Sequence, residues 1–367
     1  MTKRRILYII LLILVSFFTV AALINRSNTT LSNEETDFSV NDTSTITKIF
    51  ISDKDNHNLL LEKEDSIGWI VNEEHPALKS SIDLLLKTLK NITVKSPVSK
   101  ASHDNVVTRL SSIGIKVEIY QTVHRIDLWG MQLFPREKLT KTFYVGDNTR
   151  DLMGTYMLIE DAERPYVVYI PGFNGFLQTR FSPREKDWRS HVIFSHKVGQ
   201  IKSLDFINNE ERETSFSIKN EGDREYSLHN KDGKAYPNYD TLKVLDYLTR
   251  YNDIRYEAML SDIDTEFKDS VLASMPYFEI VLTDIANEKI HLRAFRKESG
   301  AEILDLEGNL IDWNRDRLYA EITFGNEPIF TLIQYYVFGP LIKSIDYFSK
   351  DYVEEKGQNI EIIDLDN

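Results

Sequence analysis

Two halves of this chain run through one series of elements, and that repetition limits its fold more than any other feature. "ITKIFI" at 46–51 is answered by "IKSLDF" at 201–206, each with the apolar spacing of a half-buried strand. A polar turn follows each ("SDKDNHN" and "NNEERE"). Next come a second strand at Leu59–Glu62 or Ser215–Ile218 and a third beside Trp69 or Tyr226. Pro76 and Pro237 precede helices whose apolar residues recur at spacings of three and four: Ile82, Leu85, Leu86 and Leu89 in one half, Val244, Leu245, Leu248 and Tyr251 in the other. A second helix carries Val106 and Leu110, or Phe267 and Val271 behind "SDID", where Ser261 and Asp264 have capping-box spacing. "KVEIY" at 116–120 then matches "YFEIV" at 277–281 as a strand.

The run from Thr155 aligns with the run from Leu318: Tyr156 with Tyr319, Ile159 with Ile322, Pro165 with Pro328, Val167 with Phe330, Ile170 with Ile333 and Gly175 with Gly339. A strand-to-glycine corner shared by both halves reads as structural, the glycine permitting a conformation that a Cβ would obstruct. Gly172, Asn174 and Arg180 occur in the first copy alone and leave a ligand loop there as the alternative. The expected fold is α+β: an N-terminal transmembrane helix, then two related domains, each a mainly antiparallel β-sheet with helices packed on one face.

The transmembrane expectation rests on Ile6–Ile24, 19 residues without a charge. At a 1.5 Å rise this approaches the hydrocarbon thickness of a bilayer. Lys3, Arg4 and Arg5 precede it, while Arg26 is followed by Glu34, Glu35 and Asp37. That asymmetry places the N-terminus in the cytoplasm and the body outside. "TVA" at 19–21 offers a signal-peptide cleavage site, but the apolar run exceeds an ordinary signal core and favours a retained anchor. The segments are then 1–26, stub and anchor; 27–44, a polar stalk; 45–198 and 199–350, the repeat domains; and 351–367, an acidic tail.

With a net charge of −13, the acidic body is expected to repel nucleic acid and anionic lipid. The absence of cysteine excludes disulfides, thiol catalysis, Cys-ligated metals and a lipidated-Cys anchor. No phosphate-binding glycine loop, dinucleotide fingerprint, zinc-protease helix or nucleophile elbow occurs, so no cofactor, metal or catalytic residue is assigned. "DKDNHN" at 53–58 alternates oxygen ligands as calcium loops do, but sits where a hairpin must turn. His191 and His196 have a spacing that suits neither a helix face nor a strand face. Asp262 and Asp264 read as helix-start acids. The densest polar cluster, 179–194, contains Arg180, Arg184, Glu185, Asp187, Trp188, Arg189 and His191. It reads as a helix start at Ser182-Pro183 with Trp188 packed between the copies; the alternative makes Asp187 a general base. Phe173, Trp188 and Arg189 are the candidate partner contacts, since exposed aromatics and arginine carry much interface energy.

The runs "DFSVNDTSTITKIFISDKD", "KSPVSK", "YVGDNTRDLMGTYMLIEDAERPYVVYIPGFNGFLQTRF" and "DWRSHVIF" resemble the bacterial domain-of-unknown-function 4340 family over residues 38–195, and less closely beyond. The resemblance implies a membrane-anchored envelope protein, associated with auxiliary subunits of ABC transporters of the gliding-motility type, and transfers no catalytic residue. The leading expectation is a non-catalytic, single-pass accessory subunit in the bacterial inner membrane. Its partner is a membrane protein, and its helix contacts the bilayer. The alternatives are a periplasmic hydrolase or glycan-acting enzyme using carboxylates near 179–191, and a glycan-binding module using Trp188. Alkaline phosphatase fused after residue 45 should be active outside the membrane; activity of a cytoplasmic reporter fused there would reverse the topology.

Overall fold

The computed structural model describes residues 10–19, 35–128, 131–223, 225–304 and 310–352. Of the apolar run at 6–24, residues 10–19 are helical, with large side chains from Ile10 to Phe18 exposed. The rest of that run and its basic flank lie outside the described residues, as do stalk residues 27–34 and tail residues 353–367. Among the described residues no helix is long and apolar enough to cross a membrane. The chain divides into two compact units, 1–190 and 191–367.

The first unit contains β1 (Ile46–Ser52), β2 (Asn58–Glu64), β3 (Gly68–Val71), β4 (His75–Pro76), α1 (Lys79–Asn91), β5 (Thr93–Pro97), α2 (Lys100–Ile113), β6 (Ile115–Leu128), β7 (Met131–Asn148), β8 (Thr155–Ile159) and β9 (Tyr166–Tyr169). Its sheet runs β4-β3-β2-β1-β6-β7-β8-β9-β5. The second unit contains β10 (Val192–Phe194), β11 (Ile201–Asn208), β12 (Phe216–Gly222), β13 (Glu225–Asn230), α3 (Thr241–Thr249), β14 (Ile254–Arg255), β15 (Ala258–Met259), α4 (Thr265–Ala273), β16 (Phe278–Asp284), β17 (Lys289–Leu304), β18 (Leu310–Phe324), β19 (Glu327–Gln334) and α5 (Tyr335–Phe338). Its main sheet runs β13-β12-β11-β16-β17-β18-β19-β15, and β10 pairs separately with β14. Apart from the extra edge strand β4, the two main sheets have one order, and every pairing among the described residues is antiparallel.

The ladders even share an irregularity. Ile46 faces Gln121 and Lys48 faces Tyr120; Ile201 faces Asp284 and Ser203 faces Thr283, with the same slip after the first rung. In this register Ile119 corresponds to Leu282, two positions from its counterpart in the pairing of "KVEIY" with "YFEIV". A two-residue slip leaves every apolar side chain on its own face, so alternation cannot detect it. Tyr156 faces Val167, whereas Tyr319 faces Leu332. With Tyr156 on Tyr319, Val167 therefore meets Leu332 rather than Phe330, and Pro165 does not fall on Pro328. The β8–β9 connection is longer than the β18–β19 turn. Gly175 and Gly339 also differ: a Cβ at Gly175 would come within 2.5 Å of the Phe173 ring, while Gly339 is right-handed (φ −51) with open space around it.

Phe38 and Val40 are buried, and Val40 N–H donates to Leu89 O at 2.8 Å. The end of the expected stalk therefore belongs to the first core, because an apolar pair at alternate positions plugs into the sheet. The second unit begins at 191, and β10 brings Ile193 and Phe194 into its core. The N-cap of α4 is Asp264 itself, which accepts from Phe267 N–H at 3.0 Å; Ser261 donates instead to Asp262.

The helices do not share a sheet face. Ile82, Leu85 and Leu89 of α1 pack with Val117, Ile119, Phe143 and Val145. Leu110 of α2 meets Gly146, where a Cβ would lie 2.7 Å from Leu110 Cδ2. Gly146 follows Val145, so strand alternation turns it to the opposite face. In the second unit Val244, Tyr247 and Leu248 of α3 pack with Leu292, Ala294, Leu318 and Ala320. Phe267 of α4 meets Tyr319 at 5.6 Å, and Tyr319 lies between Leu318 and Ala320 on the reverse face.

Two hairpins outrun their sheets. β6 and β7 pair out to Leu128 and Met131, but β1 accompanies β6 only as far as Gln121 and β8 meets β7 only from Phe143. The remainder is a two-stranded ribbon, with residues 132–139 all exposed. β17 and β18 form the second ribbon beyond Arg296 and Arg317. Phe134, on the first ribbon, is 64% exposed at φ 59. A non-glycine residue in that left-handed region costs about 1–2 kcal/mol.

The second core encloses a polar pair. Tyr247 Oη donates to Leu341 O at 2.8 Å and lies 2.9 Å from Tyr251 Oη, with both rings fully buried. Burial raises both pKa values and keeps the phenols neutral. Tyr247→Phe should destabilise the protein by about 1–3 kcal/mol, because it leaves Leu341 O and Tyr251 Oη short of a partner. Urea unfolding should show a lower midpoint and an unchanged slope.

Candidate functional site

The 179–194 cluster resolves into turns and core. Glu185–Asp187 is a single 3-10 turn rather than a helix, and Ser182 Oγ donates to the Asp187 carboxylate. Trp188 is 3% exposed within the first unit's core, and its indole N–H donates to Ser182 O at 2.8 Å. It offers no face to a partner. Arg189 has a side chain 12% exposed and pairs with Glu185 at 3.4 Å, while Glu185 also accepts from Asn72 at 3.0 Å. Phe173 lies under the Arg180 guanidinium at 4.3 Å, half-buried against the same core. Burial holds Arg180 below its ordinary pKa. The loop at Gly172, at φ +75, thus turns the chain into this aromatic–cation contact. His191 belongs to the second unit and stacks on Tyr256 at 4.6 Å.

Asp53, Asp55 and His57 bring one ligand atom each within 4.8 Å of one another. Asp53 nevertheless serves the β1–β2 turn. Its carboxylate accepts from Asp55 N–H at 2.9 Å and His57 N–H at 3.0 Å, and lies 2.8 Å from His57 Nδ1. Burial raises its pKa, but the hydrogen bonds from His57 and Asp55 outweigh burial and leave it below the ordinary aspartate value.

The second unit holds a different site, a cleft of about 570 Å³ between α4 and the root of its ribbon. Phe267, Val271 and Met275 form one wall; Tyr319, Trp313 and Glu298 form the other. Met275 is 65% exposed, Trp313 44% and Phe267 42%. Trp313 reaches the cleft because β18 bulges: pairing jumps from Arg296–Leu318 to Glu298–Trp313. Asn314 Oδ1 closes the bulge by accepting from Asp316 N–H at 3.0 Å and Arg317 N–H at 2.8 Å.

Arg296, at the floor, donates from Nε to Glu210 Oε1 at 2.6 Å and from Nη2 to Oε2 at 2.7 Å. Its guanidinium lies 3.9 Å over Tyr277, and Nη1 reaches Tyr335 Oη at 3.2 Å. The hydrogen bonding to Arg296 holds Glu210 below the ordinary glutamate pKa and, reciprocally, raises Arg296. Of the two carboxylates lining the cleft, one therefore has both oxygens committed to structure. The walls offer apolar and aromatic surface from Phe267, Val271, Met275, Trp313 and Tyr319, edged by Lys297, Glu298 and serines, over a floor whose arginine is already paired. The polar run "NRDR" interrupting a strand after Trp313 is the sequence signal that could have located this cleft.

The family model described as Domain of unknown function (DUF4340) matches residues 69–272. It bears out the resemblance read from the sequence but moves its span, from the third strand through the second unit's α4. No curated protein and no solved structure matches.

Glu210→Gln should cost about 1 kcal/mol at neutral pH, a value reduced by solvent screening at a carboxylate 41% exposed. Because the folded pKa is depressed, the pair's contribution is complete above the ordinary value near 4.5 and is lost as pH falls through the folded value. Thermal unfolding of wild type and variant should converge in that acid window.

Proposed function

Given that the chain belongs to the DUF4340 family, whose description assigns no activity, we propose that it is a non-catalytic accessory protein. It is held at the bacterial inner membrane by its N-terminal apolar segment and binds a membrane-protein partner through the cleft of the second unit. The observation that carries this reading is the cleft's composition: exposed Trp313, Met275 and Phe267 around an arginine already satisfied within the fold. Tryptophan and methionine are enriched at protein interfaces, and buried aromatic anchors dominate their energetics. The engagement of Glu185 and Asp187 in turn contacts weighs against acid–base work near 179–191. The tether is supported by the uncharged run at 6–24 and by the exposed apolar surface of residues 10–19. A partner of the ABC-transporter type fits a subunit confined beside it, since tethering raises effective concentration and lets a modest interface suffice. The matched sheet orders support descent of the two units from one duplicated module, and in the second the β18 bulge brings Trp313 to the cleft.

Membranes extracted in mild detergent should yield the chain in a larger complex. Trp313→Ala with Met275→Ala should reduce partner recovery at least about tenfold. Both side chains are exposed, so stability should change by less than about 0.5 kcal/mol. A wild-type body that migrates alone, together with full rescue of function by a form lacking residues 1–26, would overturn the proposal.

A further inference from the structure

The ribbon of the first unit exposes a different surface from the cleft. It leaves the sheet at Gln121 and Lys138 and runs to Leu128 and Met131, roughly 20–25 Å at strand rise. A two-stranded ribbon with no third strand is marginally stable in water. This one nevertheless displays large apolar groups: Ile126 and Leu133 stand directly opposite each other at 41% and 47% exposure, beside Phe134 at 64%. Phe134 is held in the left-handed region next to Pro135, a conformation that a bulky residue adopts only at a cost.

Around these groups the charge is reversed relative to the rest of the molecule. Arg125, Arg136 and Lys138 are all exposed on the ribbon. Of its two acids, Asp127 and Glu137, Glu137 turns back to the sheet, accepting from Thr47 at 2.7 Å and lying 3.6 Å from Lys48. The ribbon of the second unit has the opposite balance: residues 297–317 hold Lys297, Arg315 and Arg317 against Glu298, Glu302, Asp305, Glu307, Asp312 and Asp316. A net charge of −13 is thus an average that conceals one basic, apolar projection.

We propose that the β6–β7 ribbon inserts Ile126, Leu133 and Phe134 into the interface of an anionic lipid bilayer, with Arg125, Arg136 and Lys138 at the headgroups. Apolar side chains entering the headgroup–acyl boundary beneath a basic collar gain both burial and attraction to anionic lipid. This departs from the expectation that the acidic body repels such lipid, because attraction is decided within a Debye length of the surface and not by the total charge. The inference rests on the proposed tether only to bring the ribbon near a membrane.

The chain has no cysteine, so single labels can be placed cleanly. Gln132→Cys, carrying a polarity-sensitive fluorophore, leaves the apolar residues in place, and Asp316→Cys labels the second ribbon as the control. The full chain is reconstituted into phosphatidylcholine vesicles with and without phosphatidylglycerol. The label at 132 should shift to the blue and be quenched by brominated lipid only with phosphatidylglycerol present, while the label at 316 stays aqueous. Each basic residue near an anionic surface is worth about fivefold, so Arg125→Glu, Arg136→Glu and Lys138→Glu together should cut the quenching more than tenfold. Leu133→Asp with Phe134→Asp should abolish it at unchanged thermal stability. An aqueous label at 132 on phosphatidylglycerol vesicles, or one that enters an apolar environment only in native membranes, would overturn the proposal. The latter outcome would indicate a protein partner instead. Carbonate extraction reads the tether separately: a chain washed off vesicles at high pH has lost its anchor, whatever the ribbon label reports.

Discussion

Each sheet is covered on both faces where its central strands meet, and its longest hairpin runs out beyond that cover. In the first unit Val145 enters the core shared with α1, while its neighbour Gly146 receives Leu110 of α2. In the second, Ala294 lies in the α3 core and the adjacent Phe295 is buried on the other side. A strand sealed on both sides has its register fixed from both directions, since any slip would drive a side chain into a packed neighbour. That explains how two sheets with few identical residues keep one order and one ladder irregularity. Beyond the helices no such constraint acts, and there the units diverge: one extends β6–β7, the other β17–β18. The groups with something to offer a partner lie on or beside these unconstrained extensions.

Much of this architecture was legible in the sequence because it depends on period alone. Alternation at 46–51 and 201–206 and the three–four spacing of Ile82, Leu85 and Leu89 identify elements whatever they pack against. Which face of the sheet a helix covers depends on contacts distant in sequence, such as Leu110 on Gly146, and local periodicity does not contain it. The two-residue displacement of "KVEIY" is invisible for a related reason: translation by a full pleat repeat preserves every burial preference.

The site was less legible, and Trp188 shows why. A tryptophan amid arginines and acids looks like an exposed anchor, but its composition also suits a polar loop closing over a core, the indole N–H being satisfied by Ser182 O. Sequence neighbours cannot distinguish the two, because what buries Trp188 is the sheet and α1, more than a hundred positions earlier in places. Trp313 is the converse case. It sits before the polar run "NRDR", which marks a break in the strand, but the sequence does not say that the Asn314 turn at that break carries Trp313 into the cleft.

The burial of Phe38 and Val40 fixes where the proposed tether would join the first unit. With those residues fixed in the first core, the number of residues from Ile24 to Asp37 sets an upper bound of about 45 Å on the span between them. The proposed tether would therefore hold the first unit within that distance of a bilayer containing the apolar run, and the ribbon extends about half as far from its own sheet. Confinement of this kind changes what a weak contact can do. A ribbon bearing three apolar side chains and three cations binds a membrane poorly from solution, as one acyl chain does without a second signal. Attached to a chain already inserted at one point, the same contact needs to fix only orientation. Under the proposed reading the acidic sequence of the second ribbon, 297–317, disfavours the same anionic surface, so the cleft lined by Trp313 and Met275 is what the second unit offers to a partner.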